Sequence, residues 1–225
     1  MRLAYIAADR MDISFISKEI ARTMANPTVD ALEAMKRCVR YLKGKPRAVL
    51  VYERQPPPSC LTGFSDSDWA GCVVTRKSTS CSIIVHGKHY LCGTSNTQQV
   101  LALSSPEAEY YALVRGSSRV LGCLAMIRDF GCSLTGMVYT DSSGAKSIAS
   151  RRGAGKIRHI ETQTLWLQDV VARKKLLLRK VPGKENPADI GTKYLGTAAE
   201  YSSIMDRLGF QFRLGSSALS KSAAV

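Results

Sequence analysis

Between residues 59 and 195 the hydrophobic pattern changes period in a fixed order, and that order narrows the folds open to the chain. "CLTGFSDSD", "STSCSIIVHG" and "KHYLCGTS" read as strands, the last two closing a hairpin around Gly87. A long helical stretch follows from about Pro106 to Phe130, then "MVYTD" as a fourth strand and a short helix to Arg151. After a glycine- and arginine-rich loop come the amphipathic "HIETQTLWLQDVVARKK", a fifth strand "LLLRKV" and a last short helix in "NPADIGTKYL". Strands alternating with helices define an α/β domain.

The flanks read differently. Residues 11 to 44 are helical in pattern, with Pro27 ahead of a helix that lines Leu32, Met35, Val39 and Leu42 on one stripe and stops at Gly44. "RAVLVYE" makes a short strand, and "RQPPPS" is a stiff spacer that continues neither element. The last stretch, from residue 196, holds one helix and a Ser/Ala-rich tail expected to be disordered. Three segments result: 1–58, 59–195 and 196–225.

Acids mark the ends of the central elements. Asp66 and Asp68 close the first strand, Asp141 closes the fourth, Glu107 and Glu109 open the long helix, and Asp189 lies in the last one. Ligands of open α/β sheets gather outside the carboxyl ends of strands, so carboxylates delivered there converge. At the helix start, Ser105 is the expected N-cap and Pro106 the first helical residue, which leaves Glu107 favoured by the dipole alone. Glu109 is about 200° around the axis from Glu107. It lies in line with Leu113 and Gly116 and is the acid expected to face inward.

Such a cluster is costly. Two unit charges ~4 Å apart repel by on the order of 4 kcal/mol at an effective dielectric near 20. Without compensation some of the acids take up protons. Hard divalent cations bound by oxygen relieve the repulsion, and Mg²⁺ suits an all-carboxylate site better than zinc. Two such ions ~3.5 to 4 Å apart activate a water and stabilise the leaving oxygen of a phosphodiester.

Composition points the same way. With 32 Lys and Arg against 18 Asp and Glu, the formal charge of +14 favours a polyanionic partner, nucleic acid before membrane. The seven cysteines contain no C-x-x-C pair and read as reduced thiols rather than zinc ligands or disulfides. No apolar run is long enough to span a bilayer, and "MRLAYIAADRMDISF" lacks the core of a signal peptide, so an intracellular, cytoplasmic location is expected.

Taken together, "GFSDSDWAG", "TRKSTS", "LALSSPEAEYYAL", "VYTDSSGAKSIA", "RHIE" and "VPGKENPADIGTK", in this order, resemble the ribonuclease H region of copia-type retrotransposon Pol polyproteins. The resemblance covers about residues 59 to 195, and residues 10 to 46 look like the tail of the reverse transcriptase that precedes that region. It implies a ribonuclease H-like fold: a five-stranded mixed sheet, three antiparallel strands then two parallel, flanked by helices, with a short N-terminal helical appendage. It also implies hydrolysis of the RNA strand of an RNA/DNA hybrid, with two Mg²⁺ or Mn²⁺ ions, as part of a polyprotein that assembles in retrotransposon particles. Carried over block by block, the metal-binding and catalytic acids are Asp66, Glu109, Asp141 and Asp189, and Asp68 becomes a turn residue bonding backbone amides. Integrases and transposases of related fold place their Glu last, whereas here it comes second.

Substrate contacts are expected from Arg76, Lys77 and Ser78 ahead of the hairpin, and from Arg151, Arg152, Lys156 and Arg158, each cluster having a solvated basic loop as its alternative. Asn96, Gln98 and Gln99 are candidates to read 2′-hydroxyls in a shallow minor groove. Many ribonucleases H carry a His just before the last acid, and "PGKENPAD" has none. His159 is expected to open the preceding helix, as a group reaching the site or as a capping or surface residue. Two other readings stand beside the nuclease: a relic that binds nucleic acid without cutting it, and a partner-binding module tethered by the proline spacer.

Overall fold

The computed structural model describes residues 2–155, 157, 159–160 and 162–213. In chain order the elements are α1 (Arg2–Ile6), α2 (Ser14–Arg22), α3 (Val29–Gly44), β1 (Arg47–Leu50), β2 (Cys60–Ser67), β3 (Thr79–His86), β4 (His89–Thr97) and α4 (Ser105–Asp129). They continue with β5 (Thr135–Thr140), α5 (Ser143–Ser150), α6 (Trp166–Ala172), β6 (Leu177–Lys180), α7 (Ala198–Arg207) and β7 (Phe210–Arg213).

Five strands form one sheet in the order β4-β3-β2-β5-β6. β2, β3 and β4 pair antiparallel, because Gly87, at φ +61°, permits a two-residue hairpin between β3 and β4. β5 and β6 are reached through helices and pair parallel, β5 against β2 and β6 against β5. This is the ribonuclease H-like arrangement that the sequence motifs imply.

Both faces of the sheet are covered, and successive residues serve opposite sides. Ile84 joins Leu61, Leu113, Val120, Val138, Leu167 and Leu176 in a core beneath α4, α5 and α6. Ile83 points the other way, into a second core with Met11, Ile190, Ile204, Met205, Leu208 and Phe210. α4 lies close on the strands because small residues face each other: a Cβ at Gly116 would sit 3.3 Å from the Cβ of Ser65.

The second core draws on both flanks. β1 pairs antiparallel with β7, with Leu50 opposite Phe210, so residues expected to trail off after one helix form a strand that closes onto the front of the chain. Arg10 grips Asp12 bidentately through one guanidinium edge, Nε at 2.8 Å and Nη2 at 2.6 Å, and donates a third bond from Nη1 to the Lys45 carbonyl. Asp12 also accepts from the Tyr41 hydroxyl at 2.8 Å. The proline spacer is held as well: the Gln55 amide donates to the His86 carbonyl and accepts from the Lys88 backbone N–H, while His86 and His89 bond the carbonyls of Pro58 and Glu53.

Three expectations are corrected. The stripe of Leu32, Met35 and Val39 on α3 is exposed, and the helix turns Cys38 inward instead. The inward row Ala34, Cys38, Tyr41 and Lys45 follows the same helical spacing but mixes small, polar and charged types, so an apolar pattern does not find it. The helix expected from His159 begins only at Trp166, after a 3₁₀ turn at Thr162–Thr164; β-branched Ile160, Thr162 and Thr164 are poor formers of a first turn. The short helix after Asn186 is a 3₁₀ turn, Pro187–Gly191. Lys156 and Arg158 and the Ser/Ala-rich tail lie outside the described residues. No helix among the described residues is long and apolar enough to cross a membrane.

Candidate metal centre

Because β2 and β5 run parallel, their carboxyl ends share an edge, and Asp66, the penultimate residue of β2, meets Asp141 just past β5. Ser142 stops the strand there by accepting the Ala145 N–H at 3.1 Å as the cap of α5, which fixes the turn at Asp141. α4 supplies Glu109 from its second turn, on the face that packs on the sheet. One carboxylate oxygen from each of Asp66, Glu109 and Asp141 lies within 4.8 Å of the others.

Asp189 arrives by a different route. Asn186 donates to the Ser65 carbonyl at 3.0 Å, next to Asp66, and accepts from the Ala188 N–H at 3.2 Å, capping the 3₁₀ turn that carries the acid. Asp189 is buried beside Asp66, with which it shares a hydrogen bond, and takes an ion pair from Lys193 at 2.9 Å. The Thr192 hydroxyl donates to Asp66.

The electrostatics follow from burial. Desolvation, then the charge of Asp189, pushes the Asp66 carboxyl up to about 7. Desolvation, then the charges of Asp66 and Asp141, pushes Glu109 up to about 9. Asp141 is raised too, by burial first and Asp189 second. Without a cation, the cluster therefore holds protons near neutral pH. Glu109 Oε2 is buried with no hydrogen-bond partner among the described residues. Hard oxygen donors, mutual repulsion and an orphaned carboxylate oxygen together fit divalent cations of the Mg²⁺ type.

Asp68 is not a fourth wall of the cluster. Its carboxylate accepts the Thr79 N–H at the mouth of β3 and packs against Gly71, so the repulsion that two strand neighbours would suffer is avoided by turning the second acid into the loop.

Glu107 is more than a solvated first-turn acid. α4 begins one residue earlier than expected, at Ser105, and its cap Ser104 makes no side-chain bond. Glu107 does that work: Oε2 accepts the Leu103 N–H at 3.0 Å and also meets His159 Nε2 at 3.0 Å, while Oε1 accepts from the Tyr111 hydroxyl. His159 therefore tethers its loop to the foot of α4 and is not among the metal-site acids.

The expected substrate contacts divide. Arg76 and Gln99 are exposed, and Lys77 and Asn96 are half-buried. Ser78 is fully buried and accepts the Ala70 N–H, so it cannot grip a phosphate. Gln98 is buried too; its amide N–H₂ group donates to Ser67, Ser80 and the Ala108 carbonyl, fastening α4 to the sheet. Cys72 accepts from Arg22 and from the Thr75 N–H. Burial opposes charge on that thiol, and the bonds from Thr75 and Arg22 outweigh it, bringing it down to about 7. Asn186, Thr192, Lys193 and the buried pairing of Glu107 were not foreseen; the only sequence signal was the run N-P-A-D-I-G-T-K itself.

A mixed sheet of this order with carboxylates converging at its carboxyl edge defines a ribonuclease H-like domain. No family model matches the chain. Over 210 residues, 92% of its length, it is 30% identical to the retrovirus-related Pol polyprotein from transposon RE1 of Arabidopsis thaliana. Over 82% of its length it is 28% identical to the corresponding polyprotein from transposon TNT 1-94 of Nicotiana tabacum. The chain spans 14% of each of those relatives. Among solved structures it is similar to LC11-RNase H1, crystallised with an RNA/DNA hybrid, at 19% identity and a TM-score of 0.41, over 59% of this chain and 93% of that one. Its relatives are Pol polyproteins of copia-type retrotransposons, and its sheet has the ribonuclease H-like order.

Proposed function

We propose that the chain is a metal-dependent ribonuclease H that hydrolyses the RNA strand of an RNA/DNA hybrid. The observation that carries this is the convergence of Asp66, Glu109 and Asp141 from three separate elements, with Glu109 Oε2 left without a partner. Asp66, Glu109 and Asp141 would hold the cations, with Asp189 at the same edge. When bound, two divalent ions supply an activated water and charge compensation at the leaving oxygen.

The rest of the work falls to the chain. Thr192 and Asn186 fix the acids before substrate arrives, so little reorganisation is needed at the moment of reaction. Lys193 neutralises Asp189, leaving fewer uncompensated charges in the cluster. Exposed Arg76 and half-buried Lys77 provide sequence-independent attraction for phosphates, in keeping with the charge of +14.

The test is cleavage of a hybrid oligonucleotide with Mg²⁺ or EDTA, beside Asp66→Asn. Metal-dependent cutting that drops roughly 10³-fold in the variant is expected. Hybrid binding without cutting in the unaltered protein would instead leave a binding relic.

A further inference from the structure

We propose that the cavity between α2, α3 and residues 190–202 is a binding site for a nucleotide unit, an aromatic ring system carrying phosphate, separate from the acid cluster. The proposal does not depend on the hydrolytic reading. The cavity measures about 720 Å³, within the roughly 300 to 1,000 Å³ of small-molecule sites.

Its wall pairs ring faces with cations, two of them without a carboxylate partner among the described residues. Phe15 and Tyr194 meet edge to face at 5.0 Å, and Tyr41 and Tyr201 at 6.1 Å. Arg37, Lys45 and Lys193 line the same space. Lys45 Nζ is held 4.2 Å from the centre of the Phe212 ring and 5.5 Å from that of Tyr201. Neither Lys45 nor Arg37 has a carboxylate partner among the described residues. The acid in the wall, Asp12, is already committed to Arg10 and Tyr41. An ammonium left on ring faces and a guanidinium with no counter-charge call for an anion, and the tyrosines offer a base a stacking surface. A polypeptide segment would fill the volume but would leave these cations unmatched unless it were acidic. Lys193, 2.9 Å from Asp189, is the shared wall between cavity and acid cluster, so the end of a nucleic-acid strand and a free nucleotide are both within reach.

The experiment titrates the full chain in EDTA, which keeps divalent ions out of the acid cluster, and follows heat of binding. The probes are AMP, adenosine, inorganic phosphate and 5′-phosphorylated tetrathymidylate. AMP is expected to saturate one site and to bind more tightly than adenosine or phosphate. Arg37→Ala and Tyr194→Ala, both at exposed side chains, should each weaken it about tenfold; Arg128→Ala, exposed and outside the cavity, should not. A tetranucleotide that binds more tightly than AMP identifies a strand end as the source, and equal affinity identifies the free nucleotide. Thermal melts check the fold of each variant. AMP binding no tighter than phosphate, or unchanged in both cavity variants, overturns the proposal. So does the absence of binding by both AMP and the tetranucleotide at millimolar concentration, which would assign the cavity to a protein segment.

Discussion

Burial works against the charges that Asp66 and Glu109 need, and stability should show it. Asp66 rises from 3.8 to about 7 and Glu109 from 4.5 to about 9 on folding, so the folded state binds more protons than the unfolded one between those values. A raised carboxyl contributes stability that is complete below its unfolded pKa and lost as pH climbs through its folded pKa. In EDTA, the unfolding free energy read from urea titration, and with it the urea midpoint, should therefore fall steadily from about pH 4 to about pH 9, the free energy by on the order of several kcal/mol in all. Asp66→Asn should flatten the slope. A midpoint that rises over that range would contradict the cluster. Millimolar Mg²⁺ or Mn²⁺ should oppose the loss, raising the melting temperature by mass action, by an amount worth about 2.7 kcal/mol at a hundredfold excess over Kd. Glu109→Gln should melt higher than the unaltered protein in EDTA at alkaline pH and gain less from the ions. These acids were legible because a carboxylate at a strand end or on the inward face of a helix has few structural uses. Thr192 was not, since its value lies in a bond to Asp66 made across 126 positions of sequence.

At the level of elements, the site depends on how strands and turns end. The parallel pairing of β2 and β5 fixes where Asp66 and Asp141 meet, and the alternation of strands and helices gave this away in advance. Asp189 needs a fastening that no periodicity reports, the Asn186 bond to the Ser65 carbonyl. Asn186→Ala should cost about 1 to 3 kcal/mol, because a buried carbonyl and the Ala188 N–H lose their partner. It should also shrink the melting shift produced by Mg²⁺, whereas a distant core substitution of similar cost, such as Ile204→Val, should keep that shift. α3 shows the limit of pattern reading from the other side. Its apolar stripe was plain, but a stripe says only that a face would gain from cover, and in this structure Val29, Leu32, Met35 and Val39 stay in solvent.

Across the whole molecule, the three segments visible in the sequence do not have three cores. Met11 from the front, Ile83 from the sheet and Phe210 from the back share one buried layer. Phe210→Ala should therefore cost about 3 to 5 kcal/mol, and its melt should remain a single transition in which far-UV and tyrosine signals coincide. Two separated transitions would mean that the flanks unfold on their own. β7 escaped notice because four residues, "FQFR", carry too little pattern to distinguish a strand from a frayed end; only β1, far away in sequence, gives them something to pair with. That pairing bears on how the protein is made. During synthesis, β1 leaves the ribosome about 160 residues before β7, so its backbone donors and acceptors wait unpaired while the central sheet is added. The central sheet can form first, and the outer layer is completed only when β7 emerges, which makes this layer the stage at which a nascent copy is most exposed to chaperones and proteases.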